Sequence, residues 1–190
     1  MKRDNHYEAA FEAYLRDRQV SFVAVDEAKR SQLSDVLVKS LDFIIVGVET
    51  AKLVVDVKGR RFPGGQPDQP RKVWQNWAEH EDIDGLTRWA EHFGPDYRGV
   101  LAFTYHIVAP FQVPPDTPDQ VTYRDKCYLM RAINVADYKL CMRERSRRWS
   151  TVHLGMADFR RLVRPFSEFL VPQLTPSAIE SHHELHESNE

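Results

Sequence analysis

Three carboxylates and one lysine in the first third of this 190-residue chain have the chemistry of a metal-dependent site. These residues are Glu8, Asp42, Asp56 and Lys58. The last three lie in two apolar runs, at 40–47 (SLDFIIVG) and 51–59 (AKLVVDVKG). Few structural needs place two aspartates and a lysine in such runs. A divalent metal that works on phosphodiesters does need them, because it takes oxygen ligands. The pattern therefore predicts a metal-dependent nuclease.

The numbering of the two runs predicts the geometry of the site. An antiparallel hairpin between them pairs Ile44 with Val54 and places Asp42 opposite Asp56. Opposed side chains have Cβ atoms roughly 4.5–5.5 Å apart, and like charges there repel each other. Lys58 follows Asp56 by two residues, so both side chains point to one face of the strand. The other face is then apolar, and we expect it to contain Leu41, Phe43, Leu53, Val55 and Val57.

Buried carboxylates need a proton, a lysine or a metal cation as a partner. Mg²⁺ takes oxygen ligands and keeps several waters, so we expect Asp42, Asp56 and the Val57 carbonyl to suffice, with Mn²⁺ as an alternative ion. Lys58 would then hold the attacking water or a phosphate oxygen. The alternative is that Lys58 forms a structural salt bridge with Asp56 or Asp42. That alternative predicts no response to divalent metal.

The order of these residues resembles that of the PD-(D/E)xK nuclease superfamily, and their spacing resembles that of archaeal Holliday-junction resolvases. Those proteins carry a glutamate on helix 1, an aspartate on strand 2 and an acid-x-lysine on strand 3. The matching positions here are Glu8, Asp42, Asp56 and Lys58. Leu41 stands where the motif has proline. The opening segment 6–12 (HYEAAFE) also resembles the signature of the bacterial HYExAFE family.

The resemblance implies a restriction-endonuclease-like fold and an Mg²⁺-dependent endonuclease that acts on branched or double-stranded DNA as a homodimer. Glu8, Asp42 and Asp56 would bind one or two metal ions together with the Val57 carbonyl, and Lys58 would orient the attacking water. Two alternatives stay open. One is an inactive protein of the same fold that binds nucleic acid or a protein partner. The other is an interaction protein with a buried ion network. The sequence does not distinguish DNA from RNA.

Hydrophobic periodicity predicts an α/β fold with an αβββαβ core. Its predicted elements are a helix at 4–18 capped by Asn5 or Asp4, strands at 20–26, 40–47 and 51–59, a helix at 82–93 and a strand at 99–108. We expect a loop or short helix at 27–39. Glycine and proline predict a loop at 59–70.

A C-terminal α/β extension follows a proline-rich connector at 109–120. Its predicted elements are a strand at 126–135, a helix at 137–145 capped by Asp137, a strand at 149–154 and a helix at 156–170 interrupted by Pro165. Core and extension together predict one domain over 1–174, in which the strands of the extension continue the sheet of the core. The acidic, histidine-rich tail at 175–190 is typical of disorder.

The charge is unevenly distributed, although the net charge is only -2. Residues 121–165 hold 11 Lys and Arg against 4 Asp and Glu, whereas residues 1–120 hold 15 against 19. A basic block beside an acidic catalytic half suits a nucleic-acid enzyme, because cations neutralise phosphates. The alternative is a solvated surface. The candidate nucleic-acid contacts are Lys29, Arg30, Arg60, Arg61, Arg145, Arg147 and Arg148.

Several classes of protein are disfavoured by the composition. No run approaches the ~18–20 apolar residues of a membrane span, and the polar start does not predict a signal peptide. Cys127 and Cys141 are the only cysteines and show no C-x-x-C spacing, which favours a reduced cytoplasmic protein without structural zinc. Trp74, Trp77 and Trp89 could stack on bases, but packing in the core is the more usual role of such residues.

Overall fold

A mixed seven-stranded β-sheet forms the centre of the protein. The structure is a computed structural model that describes residues 5–25, 31–33, 36–38, 40–47, 51–66 and 68–171. In chain order its elements are α1 (His6–Asp17), β1 (Phe22–Ala24), β2 (Ser31–Leu33), β3 (Val36–Val38), β4 (Phe43–Ile45), β5 (Lys52–Phe62), β6 (Gly64–Gln66), β7 (Gln69–Arg71), β8 (Ala78–Glu79), α2 (His80–Phe93), β9 (Tyr97–Ile107), β10 (Gln120–Tyr123), β11 (Lys126–Asn134), α3 (Val135–Cys141), β12 (Arg143–Ser146), β13 (Thr151–His153), α4 (Met156–Leu162), β14 (Arg164–Pro165) and α5 (Ser167–Leu170).

The strand order of the main sheet is β1-β4-β5-β9-β11-β10, with β14 also paired to β11. Its central pair, β5 and β9, is parallel, and its other pairs are antiparallel. Parallel strands need a crossover connection, which α2 supplies. Helices cover both faces of this central pair, which explains why the middle of each strand, Leu53–Val55 in β5 and Val100–Phe103 in β9, is apolar without alternation.

Two hydrophobic clusters hold the helices on opposite faces of the sheet. On one face Phe11 and Leu15 of α1 pack with Val55, and Phe169 of α5 joins them. On the other face Ile83 of α2 packs with Val54, the neighbour of Val55 on β5. Helices α3 and α4 extend this layer. The result is a three-layer α/β/α arrangement in which β5 is sandwiched between α1 and α2.

The element order α1-β1-β4-β5-α2-β9 confirms the predicted αβββαβ core and the α/β fold class. The predicted register is also confirmed, because Ile44 pairs with Val54. Asn5 caps α1, where its side chain accepts a hydrogen bond of 3.1 Å from the Tyr7 N–H. The second helix ends before Gly94, as its stop signal predicts.

Two segments predicted to lack strands contain them. The prediction of a loop at 59–70 was wrong, because β5 continues to Phe62 along its partner β9 and the chain then forms the hairpin β6–β7. Gly65 lies within β6, opposite Pro70, and supplies a positive φ of 82° there. The prediction of a loop or short helix at 27–39 was also wrong for its described parts, since β2 and β3 pair antiparallel. Val and Leu at 36–38 favour a strand.

The extension differs from its prediction in its helices. Helix α3 ends at Cys141 and is capped by Asn134, whose side chain accepts from the Ala136 N–H at 2.8 Å, rather than by Asp137. Proline disrupts helices, and the predicted helix at 156–170 is divided into α4 and α5, with Pro165 between them in β14.

The strands of the extension belong to two different sheets. Strands β10, β11 and β14 extend the main sheet as predicted, whereas β12 and β13 join β8 in a separate three-stranded sheet. That small sheet brings the basic extension beside the start of α2. Within the residues described, no helix has the length and apolar character needed to cross a membrane. The tail at 175–190, predicted to be disordered, lies outside the described residues.

Candidate functional site

The ends of α1 and α2 meet the open edge of β5 at a cleft of about 910 Å³. We call it the acidic cleft, because six acids and only three cations line it. These charged residues are Glu8, Asp56, Lys58, Arg60, Glu79, Glu81, Asp82, Asp84 and Arg88. The structure therefore brings Glu8 of α1 to the same cleft as Asp56 and Lys58 of β5.

Asp42 does not itself line this cleft; it precedes the first regular pair of β4 with β5, Phe43 with Val55. Its N–H donates to the Val55 carbonyl at 3.0 Å. Its Oδ2 accepts a hydrogen bond of 2.5 Å from the Val57 N–H. The Asp42 carboxylate thus accepts the hydrogen bond that the Val57 N–H of β5 would give to a backbone carbonyl if β4 were longer. It is fixed at the strand edge rather than held across a regular ladder from Asp56.

The alternation of β4 breaks at Asp42. Leu41 was predicted to share the apolar face of Phe43, and that prediction was wrong. Phe43 packs in the cluster of α1, whereas Leu41 packs in the opposite cluster with Val54. The strict two-residue period fails because the regular pairing of β4 begins only at Phe43. This break lets the Asp42 carboxylate turn to the open edge of β5.

Lys58 forms a buried ion network with two aspartates. Its Nζ lies 2.6 Å from Asp56 Oδ2 and 2.8 Å from Asp82 Oδ2. The side chain of Lys58 is 13% exposed and that of Asp82 only 1%. Asp82 Oδ2 also accepts a hydrogen bond of 2.8 Å from the Glu79 N–H at the start of α2. The salt bridge between Lys58 and Asp56, left open as an alternative by the sequence, is therefore present.

Asp82 was not predicted as a member of the site. Its sequence signal is that of a helix cap, since it lies in the first turn of α2, three residues after Glu79. The structure contains this capping box. Its second contact, with Lys58, depends on how α2 packs against β5, and no local pattern encodes that packing.

Lys58 is a cation in this environment. Burial works against its ammonium charge, but the carboxylates of Asp56 and Asp82 outweigh burial and raise the pKa of Lys58. A lysine with a raised pKa stays protonated at neutral pH, so it cannot act as a general base there. It can attract a phosphate oxygen or donate a hydrogen bond to a water molecule.

Glu8 approaches the cleft from the first turn of α1. Its Oε1 accepts a hydrogen bond of 2.5 Å from Asn5 Nδ2, so the residue that caps the helix also holds the carboxylate. Gly59 of β5 permits this approach, because a Cβ at that position would lie 2.3 Å from the Tyr7 ring. Glu8 is buried, with 6% of its surface exposed.

Arg60 forms a wall of the acidic cleft. Its guanidinium lies 3.8 Å from the centre of the Trp77 ring. It donates hydrogen bonds to the Gly59 carbonyl at 2.8 Å and to the Trp77 carbonyl. Burial lowers the pKa of Arg60. Arg61, the next residue, is exposed and donates to the Gly65 carbonyl at 3.1 Å.

The other predicted nucleic-acid contacts differ in their surroundings. Arg145 is exposed and lies 5.1 Å from the Trp77 ring centre, so the basic extension reaches the wall of the acidic cleft. Arg147 pairs with Glu144 at 3.2 Å. Arg148 lies 5.2 Å from the ring of its neighbour Trp149. Lys29 and Arg30 lie outside the described residues.

The donor set of the acidic cleft suits a hard cation. Among the described residues, no group of three or more histidine, cysteine, aspartate or glutamate side chains has the spacing of a metal site. Glu8 and Asp56 nevertheless line the cleft together with Val57, beside the Asp42 carboxylate. Mg²⁺ is commonly held by one or two carboxylates with several waters, so oxygen donors of this kind fit the ion.

No protein-family model matches the chain, and no curated protein sequence does. The resemblance to the HYExAFE family is therefore not confirmed. Among solved structures, the chain is similar to Hjc, a Holliday junction resolvase of the archaeal hyperthermophile Archaeoglobus fulgidus. The identity is 12%, the match covers 86% of this chain and 96% of that chain, and the TM-score is 0.49. A likeness of this degree assigns neither family nor activity.

Proposed function

We propose that the protein is a metal-dependent endonuclease that hydrolyses phosphodiester bonds in DNA at the acidic cleft. The observation that carries the proposal is the convergence of Glu8, Asp56 and Lys58 on one cleft, with the Asp42 carboxylate hydrogen-bonded to Val57, which also lines the cleft. Carboxylates concentrate divalent cations, and a protonated lysine beside them attracts a phosphate. This combination suits a reaction in which an anionic substrate enters an acidic site.

Glu8, Asp42, Asp56 and the Val57 carbonyl would hold Mg²⁺ or Mn²⁺. When bound, the ion would supply Lewis-acid stabilisation of a phosphoryl oxygen. The remaining work falls to the chain itself. Lys58 would donate to a phosphate oxygen or orient the attacking water, and its raised pKa keeps the proton available for that hydrogen bond.

Two residues would act by positioning these groups. Asp82 holds the Lys58 ammonium at 2.8 Å, and Asn5 holds Glu8 at 2.5 Å. Fixing the reacting groups in this way reduces the entropy lost at the transition state. We expect substitution of either residue to lower the cleavage rate without changing any atom that touches the substrate.

The proposed substrate is branched or double-stranded DNA, and the proposed active form is a homodimer, as the resemblance of the motif implies. The exposed Arg61, Arg145, Arg147 and Arg148, with Lys29 and Arg30, are the proposed phosphate contacts. Light scattering after size exclusion would test the homodimer, since it measures the mass in solution. A monomer at all concentrations would contradict that part of the proposal.

The activity is tested by incubating the purified chain with plasmid, linear duplex, four-way junction and RNA, each with Mg²⁺, Mn²⁺ or EDTA. We expect cleavage with metal and none in EDTA. Asp56→Asn should abolish it, whereas Asp96→Asn, which alters an exposed aspartate paired with Lys52 at 3.0 Å, should not. Cleavage that persists in Asp56→Asn, or no cleavage of any substrate, would contradict the proposal.

The ion network favours a second candidate function, a nucleic-acid-binding protein of the same fold that does not cut. Lys58 already pairs with both Asp56 and Asp82, so each of these two carboxylates has a cationic partner without a metal. This candidate predicts DNA binding in EDTA and the same melting temperature with or without Mg²⁺. Metal titration followed by thermal melting therefore separates it from the enzyme.

A further inference from the structure

A second cleft, of about 900 Å³, lies on the other side of Trp77 from the residues of the proposed chemistry. It is lined by the segment before β8, by the connector at 109–120 and by β13 and α4 of the extension. Trp77 lines both clefts, so they are neighbours. The volume lies in the range of about 300–1,000 Å³ that is typical of ligand sites.

The charge of this second cleft is opposite to that of the acidic cleft. Its lining residues include five cations and, within the described part of the chain, no aspartate or glutamate. We call it the basic cleft. The five cations are Arg71, Lys72, Arg131, Arg145 and Arg160. A concave surface lined by one sign of charge concentrates ligands of the opposite sign.

Four of these five cations are exposed and have no ion pair with a carboxylate in the part of the chain that the structure describes. Arg71, Lys72, Arg145 and Arg160 are exposed, and none forms an ion pair with a carboxylate of the described residues. Other exposed arginines of the extension do form such pairs, for example Arg143 with Asp158 at 3.5 Å. Other exposed cations of the described residues, such as Arg88 and Arg148, also lack such a pair, but the cleft brings four of them together, which favours an anionic ligand with several charges.

The cleft also offers flat and apolar surface. Trp74 is stacked on Phe62 with ring centres 3.6 Å apart and meets Tyr105 edge to face at 4.8 Å, so its ring is held in a fixed orientation. Val73 and Met156 expose 55% and 61% of their surface there. A free phosphate ion needs only the cations, whereas a nucleotide uses both the cations and an aromatic platform.

We propose that the basic cleft binds an unpaired stretch of a nucleic-acid strand. Bases would stack against Trp74, and phosphates would contact Arg145, Arg160 and Lys72. Paired bases cannot reach such a platform, because their faces are covered within the duplex. This inference rests on the proposed nuclease function in one respect. The acidic cleft would cut next to the strand that the basic cleft holds, so the substrate class is DNA with a single-stranded segment beside a duplex.

The test is fluorescence anisotropy in EDTA, where binding is measured without cleavage. The probes are a labelled strand of about 12 nucleotides, an abasic strand of the same length and the corresponding duplex. A glutamate-rich peptide serves as competitor. We expect the strand with bases to bind more tightly than the abasic strand and the duplex, and the peptide not to displace it.

Two charge-matched double variants locate the site. Arg145→Ala with Arg160→Ala should raise the Kd of the strand about tenfold and flatten the salt dependence by about 0.7 per lost phosphate contact. Arg143→Ala with Arg161→Ala removes the same charge from paired, exposed positions outside the cleft and should leave the Kd unchanged. Met156→Glu adds a carboxylate at an exposed first position of α4, which tolerates an acid, and should also weaken binding.

Three results would overturn the inference. One is an equal Kd for the strand with bases and the abasic strand, one is an unchanged Kd in the Arg145 and Arg160 double variant, and one is displacement by the acidic peptide. Failure of the proposed function has a different signature. In that case no substrate is cut with any metal, while strand binding still depends on Arg145 and Arg160.

Discussion

The acidic cleft and the basic cleft share one lining residue, Trp77, but differ in the burial and pairing of their charged side chains. In the acidic cleft Lys58 is largely buried and lies within 2.8 Å of two aspartates. In the basic cleft the arginines are mostly exposed and unpaired with described carboxylates, such as Arg145 and Arg160. Buried, paired charges hold a fixed geometry, whereas solvated charges bind a flexible anion at little cost to the fold. The comparison suggests that one cleft reacts and the other binds.

The largest expected difference between the clefts is in stability. Asp82→Ala removes one of the two partners of the buried Lys58 and the acceptor of the Glu79 N–H. We expect the free energy of unfolding to fall by about 3–5 kcal/mol. Arg160→Ala, in the basic cleft, should change it by less than about 0.5 kcal/mol. Urea denaturation measures both. Equal losses would mean that the two clefts do not differ in how they hold charge.

The next expected effect is stabilisation by metal at the acidic cleft alone. Mg²⁺ that binds only the folded state adds about 2.7 kcal/mol at 100 times its Kd. Thermal melts with Mg²⁺ and with EDTA should therefore differ in wild type, and less so in Asp56→Asn. The Arg145 and Arg160 double variant should keep the full difference. Identical melting temperatures of the wild type in saturating Mg²⁺ and in EDTA would exclude this metal site.

The part of the acidic cleft formed by Asp56 and Lys58 was predictable from the sequence because the two residues are close in the chain. Asp42 immediately precedes β4, the antiparallel neighbour of β5, and Asp56 and Lys58 share a face of β5 by the two-residue period of a strand. The predicted register holds at Ile44 and Val54. Strict alternation failed only at Leu41, where the regular pairing of β4 has not yet begun, and no propensity encodes that boundary.

Asp82 and the basic cleft were not predictable because their contacts join distant parts of the chain. Asp82 meets Lys58 through the packing of α2 on β5, and its sequence pattern is that of a cap. The charge count grouped Arg145 with Arg147 and Arg148, although only Arg145 lines a cleft. The pairing of β13 with β8 decides which of the three reaches Trp77. The hairpin β6–β7 was missed because glycine and proline are common in loops and in tight turns alike.

A smaller effect should separate the two roles of Asn5. Asn5→Ala and Asn134→Ala each remove the side-chain cap of a helix, so each should cost about 1 kcal/mol of stability. Only Asn5 also holds Glu8. We therefore expect Asn5→Ala alone to raise the Kd for Mg²⁺, as followed by calorimetric titration. The same Kd in both variants would mean that Glu8 needs no support to bind metal.

The smallest expected effect is on the pH dependence of stability. Burial, together with the nearby Lys126 cation, lowers the pKa of both His6 and His106. The unfolded chain then binds protons more readily than the folded chain below about pH 6.5, so the free energy of unfolding falls as pH decreases. Urea denaturation at several pH values should show a smaller fall when both histidines are changed to Gln. His153→Gln, in the basic cleft, is the control. If this variant reduced the fall in the free energy of unfolding as much as the double variant does, the assignment to His6 and His106 would be contradicted.

The most direct test of the division between the clefts is the single-turnover cleavage rate of Lys58→Ala at saturating enzyme with Mg²⁺. The substrate is the one cut best by wild type. The rate should fall by about 10²–10³-fold, as for other losses of a single electrostatic group at a reacting centre. The Kd of the same DNA in EDTA should stay unchanged, which also shows that the variant is folded. A rate equal to that of wild type would contradict the account, because the acidic cleft would then not be where the bond is cut.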